Sequence, residues 1–231
     1  MNDLEIAANK FGCDKGSLKD GHRYTDVYFD YWESLRYKKL NILEIGLWKG
    51  AGLRTLREFF SNSSIYGIDV KDCVPNGGGE WMGDLYEGGR IQTFLCDQID
   101  KSRLYELFNG IQFDIILDDG GHNIIYQQKT FGYLFKFLKS NGIYVIEDIH
   151  TSLMGSMWGL EPDDKYTTLS ILREAEKTNR IDTPHIDTQY INYINENIKS
   201  VKVHDTKATV PVPPSHHCQY KCDLTSIIKK R

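Results

Sequence analysis

Short apolar runs bounded by glycine or acidic residues alternate along this chain with segments of helical periodicity. The runs predict five buried strands, at 41–45, 65–68, 90–97, 115–117 and 143–146. The segments between and after them predict helices over about 51–61, 101–108, 167–179 and 184–195, with a further amphipathic segment between the fourth and fifth strands. This order is typical of a doubly wound parallel sheet whose switch point lies between the first and fourth strands.

The two ends of the chain extend this core. Residues 1–39 read as helical, with apolar and aromatic positions at helical spacing: Tyr24, Val27, Tyr28, Tyr31, Trp32 and Leu35. We interpret that face as packing against the sheet rather than as a ligand site. Near the other end, residues 198–212 alternate like a hairpin around the sequence HDTK. The predicted fold class is α/β, a Rossmann-like and mostly parallel seven-stranded sheet with a C-terminal antiparallel hairpin.

Length and composition narrow the class of protein. A chain of 231 residues is predicted to form one domain, with a helical lead-in (1–39), a cofactor-binding core (40–150) and C-terminal helices with a hairpin (151–231). The net charge of −4 gives no reason to expect nucleic acid as a partner. The N-terminus lacks a basic and apolar leader, no run of 18 apolar residues occurs, and the five cysteines are dispersed. We therefore expect a cytoplasmic protein without a membrane span.

A glycine-rich turn follows the first strand, with the spacing Glu44-x-Gly46-x-x-x-Gly50-x-Gly52. Glycines allow close backbone approach to a ligand, and the following helix N-terminus offers unpaired N–H groups. The spacing does not fit the G-x-G-x-x-G of dinucleotide sites. An acidic residue two positions before the first glycine favours a nucleoside methyl donor instead. Asp69, at the end of the second strand, is then placed to accept hydrogen bonds from ribose hydroxyls.

Further polar residues follow the third and fourth strands. Asp97 and Gln98 are candidates for the adenine edge, and Asp118 is assigned to the cofactor side of the fourth strand. Each of these residues alone could be an ordinary turn or strand-end residue. Their occurrence at successive strand ends, where ligands of open α/β sheets bind, favours a cofactor site.

Acidic residues after the fourth and fifth strands predict a metal site. Asp119 follows one strand and Glu147 and Asp148 follow the next, so their carboxylates should converge at the edge of the sheet. Clustered carboxylates repel one another unless a cation such as Mg²⁺ neutralises them. Consecutive strand residues point to opposite faces, so Asp119 and Asp148 are the firmer ligands and Glu147 the weaker one. The alternative is that these residues cap the following helices.

Histidines accompany both acidic groups. His122 lies three residues after Asp119 and is the candidate general base, with a capping or exposed residue as the alternative. For His150, a contact to the site and a plain loop role stay equally open. The C-terminal tail carries residue types found in zinc sites, at a spacing that matches no standard closed site: His216, His217, Cys218 and Cys222. We expect these to be solvated.

Several motifs together resemble a known family. They are KFGCDKG followed by HRYTDVYFDYW, then ILEIGLWKGAGLRTL, YGID, the Asp97-Gln98 pair, FDIILDDGGH and GIYVIEDIHTS. This pattern is similar to class I S-adenosylmethionine-dependent methyltransferases. Within that superfamily it resembles the metal-dependent sugar O-methyltransferases of macrolide and aromatic polyketide tailoring, over roughly residues 9–152. The sequence departs from their pattern at Gly121, where serine is usual, and at Trp48-Lys49.

The resemblance implies S-adenosyl-L-methionine and Mg²⁺ as cofactors. It implies that Asp119, Glu147 and Asp148 hold the metal and that His122 is the base that activates a sugar hydroxyl. The expected acceptor is a small-molecule or glycan-linked sugar, and a homo-oligomer is left open. A catechol-like acceptor and a non-catalytic cofactor-binding protein are the alternative functions. Residues 71–89 and 153–166 are expected to cover the site, and Met154, Met157 and Trp158 would suit a subunit contact or a substrate cover.

Overall fold

A computed structural model describes residues 1–18, 21–70, 89–153, 165–206 and 223–231 of the chain. Within these ranges the strands are β1 (Asn41–Ile45), β2 (Ser64–Asp69), β3 (Ile91–Leu95), β4 (Phe113–Asp118), β5 (Leu138–Ile146), β6 (Ile198–Asp205) and β7 (Leu224–Lys230). The helices are α1 (Asp3–Phe11), α2 (Tyr24–Trp32), α3 (Ala51–Phe59), α4 (Lys101–Leu107), α5 (Ile124–Leu134), α6 (Thr168–Thr178) and α7 (Thr188–Asn197). Most of the two predicted covering loops, and the C-terminal histidine and cysteine group, lie outside the described residues. The predicted division of the domain stays a prediction.

The strands form one seven-stranded sheet in the order β3-β2-β1-β4-β5-β7-β6. Strands β1 to β5 pair in parallel, and β7 pairs antiparallel with both β5 and β6. The switch point is where it was predicted, because β1 lies between β2 and β4, with Ile45 opposite both Ile68 and Asp118. The predicted Rossmann-like, mostly parallel sheet is confirmed.

The C-terminal antiparallel pair is confirmed, and the described partner of β6 is β7 at the end of the chain. The segment directly after HDTK, where the second strand of the hairpin was predicted, lies outside the described residues. Strand β7 inserts between β5 and β6, and its Ile227 and Ile228 are buried on the two faces of the sheet. Period-two alternation identifies a strand but carries no information about its partner. The last helix also begins later than predicted, at Thr188 rather than near residue 184.

Alternating strand residues feed two separate hydrophobic clusters. Ile42 and Leu117 pack with α1, α2 and α3 on one face, while Leu43 and Ile116 pack with α4 to α7 on the other. The predicted packing role of the N-terminal aromatic residues is confirmed, since Tyr24, Tyr28 and Trp32 are buried in the first cluster and Tyr31 packs against it partly buried. In the described part of the chain, no helix is both long and apolar enough to cross a membrane.

Candidate active site

The turn after β1 approaches the end of β4 closely. Gly46 has a φ of +81°, and a Cβ added there would collide with the backbone carbonyl of Asp119. The Asp69 carboxylate at the end of β2 holds this turn, because its Oδ2 accepts hydrogen bonds from the backbone N–H groups of Leu47 (2.8 Å) and Trp48 (3.3 Å). The structure thus gives Asp69 a role in shaping the turn, and its contact with a ribose stays a prediction.

The helix after this turn begins without a side-chain cap. Gly50, with a φ of +74°, is the N-cap residue of α3, and among the described residues no side-chain hydrogen bond caps this helix start. Below this helix start lies Glu44, 1% exposed, and a Cβ on Gly52 would collide with its carboxylate. Burial raises the pKa of Glu44 to about 8, against the opposing effect of Lys15. Within the described residues, Glu44 Oε2 has no hydrogen-bond partner.

Replacing Glu44 by glutamine should flatten the pH dependence of stability. The folded protein keeps a proton on Glu44 that the unfolded chain releases above its ordinary pKa of 4.5. Stability therefore falls as pH rises towards about 8, by up to about 1.4 kcal/mol per pH unit, and Glu44→Gln removes this loss. Urea denaturation of both proteins across this range measures the difference. Glu58→Gln, on the exposed side of α3, should keep the wild-type slope, and an unchanged slope in Glu44→Gln would contradict the prediction.

The residues predicted for the adenine side are engaged with each other. Gln98 Nε2 donates hydrogen bonds to Thr130 Oγ1 (2.8 Å) and Asp118 Oδ1 (3.3 Å), and Gln98 Oε1 accepts one from the Gly121 backbone. Burial raises the pKa of Asp118 to about 8. Asp97 Oδ1 accepts a hydrogen bond from a backbone N–H two residues later. These contacts join the ends of β3 and β4, and binding of adenine stays a prediction.

Asp119, His122 and Asp148 come together at the ends of β4 and β5. Each offers one ligand atom, and the three atoms lie within 4.8 Å of one another. His122 Nε2 is 3.5 Å from Asp148 Oδ2. Strand β5 ends at Ile146, and Asp148 has a φ of +52°, so strand alternation no longer directs its side chain. The two firmer predicted ligands and the predicted base therefore form one half-buried cluster.

Glu147 lies on the other side of Asp119. Its side chain is 1% exposed, accepts a hydrogen bond from the Tyr28 hydroxyl (2.6 Å) and forms an ion pair with Lys15 Nζ (3.0 Å). Burial and the nearby Asp119 carboxylate raise the pKa of Glu147 well above its ordinary value. The structure places Glu147 next to Asp119 but outside the three-residue cluster.

Lys15 is a site residue that the sequence reasoning missed. It lies between α1 and α2, its side chain is 8% exposed, and Nζ forms ion pairs with both Asp119 and Glu147. Burial lowers the pKa of Lys15, but the two carboxylates outweigh that effect and raise the pKa above its ordinary value. The signal was present in the motif KFGCDKG, which was matched as a pattern without a role for its second lysine.

The lead-in also supplies hydroxyl groups. The Tyr24 hydroxyl donates a hydrogen bond to Asp148 Oδ1 at 2.6 Å. Burial raises the pKa of Asp148, but His122, His22 and His150 outweigh it and bring this pKa below its ordinary value. His150 Nδ1 lies 3.9 Å from Asp148 Oδ1, so His150 lies beside the cluster. Helical spacing correctly predicted that Tyr24 and Tyr28 are buried. It did not indicate which groups their hydroxyls contact.

Helix capping does not account for the residues after β4. Asn123 is the N-cap of α5, and its Oδ1 accepts a hydrogen bond from the Tyr126 backbone (2.9 Å). The Thr151 hydroxyl lies within hydrogen-bonding distance of the carbonyl oxygens of His122 (2.7 Å) and Asp148 (2.8 Å). Thr151 thereby joins the backbones that carry the cluster.

Comparison with known proteins agrees with this architecture. No family model matches the chain. It is 29% identical over 174 residues to the 8-demethyl-8-alpha-L-rhamnosyl tetracenomycin-C 2'-O-methyltransferase of Streptomyces olivaceus, covering 72% of this chain and 43% of that protein. It is 28% identical over 200 residues to the mycinamicin VI 2''-O-methyltransferase of Micromonospora griseorubida, covering 82% and 48%. The chain spans about half the length of the curated relatives that it matches.

Among solved structures, the chain is similar to the MycE methyltransferase of the mycinamycin biosynthetic pathway, determined in complex with Mg, SAH and mycinamycin VI. The TM-score is 0.73 at 23% identity, covering 99% of this chain and 54% of that one. The fold is that of the class I methyltransferases. The resemblance to sugar O-methyltransferases of macrolide and tetracenomycin pathways, expected from the motifs, is confirmed.

Proposed function

We propose that this protein is an S-adenosylmethionine-dependent, Mg²⁺-assisted O-methyltransferase that acts on a sugar hydroxyl. The cluster of Asp119, His122 and Asp148, in contact through Asp119 with the glycine-rich turn at Gly46, is the observation that carries this proposal. If His122 is the proton acceptor and Asp119 and Asp148 are the cation ligands, all three would lie beside the turn at which a class I fold holds its methyl donor. The relatives named above methylate sugar hydroxyls.

The cluster suits a hard divalent cation. Asp119 and Asp148 supply carboxylate oxygens, which Mg²⁺ prefers, and the remaining positions are left to water or substrate. When bound, the cation polarises a coordinated hydroxyl and lowers its pKa by several units. Glu147 is a weaker candidate for coordination, because Lys15 and Tyr28 already contact its two oxygens.

The turn after β1 suits the methyl donor. S-adenosylmethionine supplies a methyl group on a positively charged sulfur. In this proposal the N–H groups at the start of α3 bind an anionic group such as a carboxylate, because Gly50 places no capping side chain over them. The proposed contacts to the rest of this molecule come from five acidic or amide side chains: Glu44, Asp69, Asp97, Gln98 and Asp118.

His122 carries the proton transfer in this proposal. Its neutral imidazole accepts the proton of the sugar hydroxyl as the oxygen bonds to the methyl carbon and the carbon–sulfur bond breaks. Asp148, 3.5 Å away, stabilises the resulting imidazolium, and the Tyr24 hydroxyl orients Asp148. His122 is 27% exposed, so the proton then passes to solvent. Holding the hydroxyl and the methyl group at near-attack distance supplies much of the remaining acceleration.

An acceptor comparison tests the proposal. Purified protein should bind S-adenosylhomocysteine in a calorimetric titration and should methylate glycosides with adjacent free hydroxyls. EDTA should abolish the methylation and Mg²⁺ should restore it. Preference for catechols over glycosides would favour the alternative enzyme. Binding of S-adenosylhomocysteine without methylation of any acceptor would favour the non-catalytic cofactor-binding protein, and failure to bind it would exclude S-adenosylmethionine as the cofactor. Size measurement of the same sample tests whether the protein is a homo-oligomer.

A further inference from the structure

Lys15 is held firmly at the base of the site. The backbone N–H of Cys13 bonds to the Ala8 carbonyl (2.9 Å) at the end of α1, and the Lys15 carbonyl accepts a bond from Thr25 (3.1 Å) at the start of α2. Its side chain is almost completely buried and ends between Asp119 and Glu147. Fixing a long flexible side chain in one buried position costs conformational entropy, which the two ion pairs must offset.

The charges around the site divide into two groups. Asp148 lies among three histidines and a tyrosine hydroxyl. In the described part of the chain, Lys15 is the one lysine or arginine that forms an ion pair with Asp119 or Glu147. Two buried carboxylates side by side repel each other strongly without a cation. Asp119 also belongs to the cluster with His122 and Asp148, so it faces both Lys15 and the proposed cation position.

We propose that Lys15 is a positioning residue whose ammonium group replaces part of the charge of the divalent cation while that cation is absent. Its two ion pairs hold Asp119 and Glu147 in place, so the cation enters a formed site rather than collecting dispersed carboxylates. The positive charge of Lys15 also reduces the net negative charge at the cation position. The site therefore binds the cation less tightly than it would without that charge. This inference rests on the proposed use of Mg²⁺ at Asp119 and Asp148.

Thermal unfolding with and without Mg²⁺ tests the role of Lys15. The variant Lys15→Met keeps the length of the side chain and removes the charge. Its metal-free Tm should fall by roughly 6–20 °C, as expected when a buried charge pair is broken. Mg²⁺ should then raise the Tm of Lys15→Met by more than it raises that of the wild type. In a calorimetric titration, Mg²⁺ should bind the variant at least about tenfold more tightly, because one positive charge nearby is gone.

Two further variants complete the test. Lys10→Met removes an exposed lysine of α1 that pairs with Glu58, and it should leave both the Tm and the Mg²⁺ response unchanged. Lys15→Met/Glu147→Gln removes both members of the pair and should recover part of the lost metal-free Tm. If Lys15→Met alone fails to fold, the Mg²⁺-induced change in Tm is measured on this double variant instead. That change should be close to the change seen in the wild type.

The outcomes separate the two proposals. If Mg²⁺ raises the Tm of the wild type but raises that of Lys15→Met no further, Lys15 acts as an ordinary structural ion pair and this inference is overturned. The inference is also overturned if Glu147→Gln deepens the loss in Lys15→Met. If Mg²⁺ leaves the Tm of every variant unchanged and binds none of them, the cation itself is excluded, and the proposed function fails in its metal-dependent form.

Discussion

His122→Ala is expected to lower kcat by about 10²–10⁴-fold while leaving the affinity for S-adenosylhomocysteine unchanged. The loss is that of a general base in the transition state. Cofactor affinity should persist because His122 is not among the residues proposed to contact the cofactor. Rates should be measured at saturating Mg²⁺, since the imidazole also lies within reach of the proposed cation ligands.

His150→Ala is the matched comparison for this prediction. His150 is a second imidazole beside Asp148, but it is 3.9 Å from Asp148 Oδ1 and also lies near Asp223. We expect its removal to cost less than about tenfold in kcat, as for a residue outside the proton transfer. Near-normal turnover of His122→Ala would remove His122 as the base. A large loss in His150→Ala with little loss in His122→Ala would transfer that role to His150.

Asp119→Asn is expected to abolish the response of the enzyme to added Mg²⁺. Residues that merely support a metal ligand typically change metal affinity by about 10–100-fold, so loss of a ligand should exceed the upper end of this range. The variant also leaves Lys15 with Glu147 as its remaining carboxylate partner among the ion pairs of the described residues. Methyl transfer across a Mg²⁺ titration measures the effect, with the Tm in the same titration as a second reading.

Asp118→Asn provides a close control for the metal prediction. Asp118 is adjacent in sequence but points to the opposite face of the sheet, towards Gln98 and Tyr144. Asparagine keeps the size of Asp118 and removes its negative charge, and burial already raises the pKa of Asp118 to about 8. This variant should keep the Mg²⁺ response, and any change should fall on cofactor affinity. If the wild type transfers methyl groups in EDTA at the same rate as with Mg²⁺, the metal proposal is refuted, whatever the two variants show.

Much of the site was predictable because its elements are local in sequence. Each parallel strand is a short apolar run with a polar residue directly after it, and parallel strands end at the same edge of the sheet. The amino-acid pattern therefore suffices to assign Asp69, Asp119 and Asp148 to one edge. The placement of Glu147 as the weaker metal candidate followed from strand alternation, and the structure turns that side chain towards Lys15 and Tyr28.

The C-terminal strands show where this local reasoning ends. Alternation around HDTK predicted a hairpin and gave no sign of β7, which comes from the last residues of the chain and separates β6 from β5. Period-two alternation predicts that a segment is a strand, and it does not identify a partner far away along the chain. Strand β7 is buried on both faces, which favours a position inside the sheet. This burial exists only once the two hydrophobic clusters have assembled.

The sequence by itself determined the fold class, the order of the parallel strands and which acidic residues meet at their ends. These follow from periodicity within segments of five to nine residues, the lengths of the strands. Only the tertiary structure decided what faces those acids. Lys15 is 104 residues from Asp119, and Tyr28 and Tyr24 are 119 and 124 residues from Glu147 and Asp148. Such contacts depend on where helices α1 and α2 pack against the sheet. The pattern of apolar residues in each helix predicts a buried face but does not predict where on the sheet that face packs.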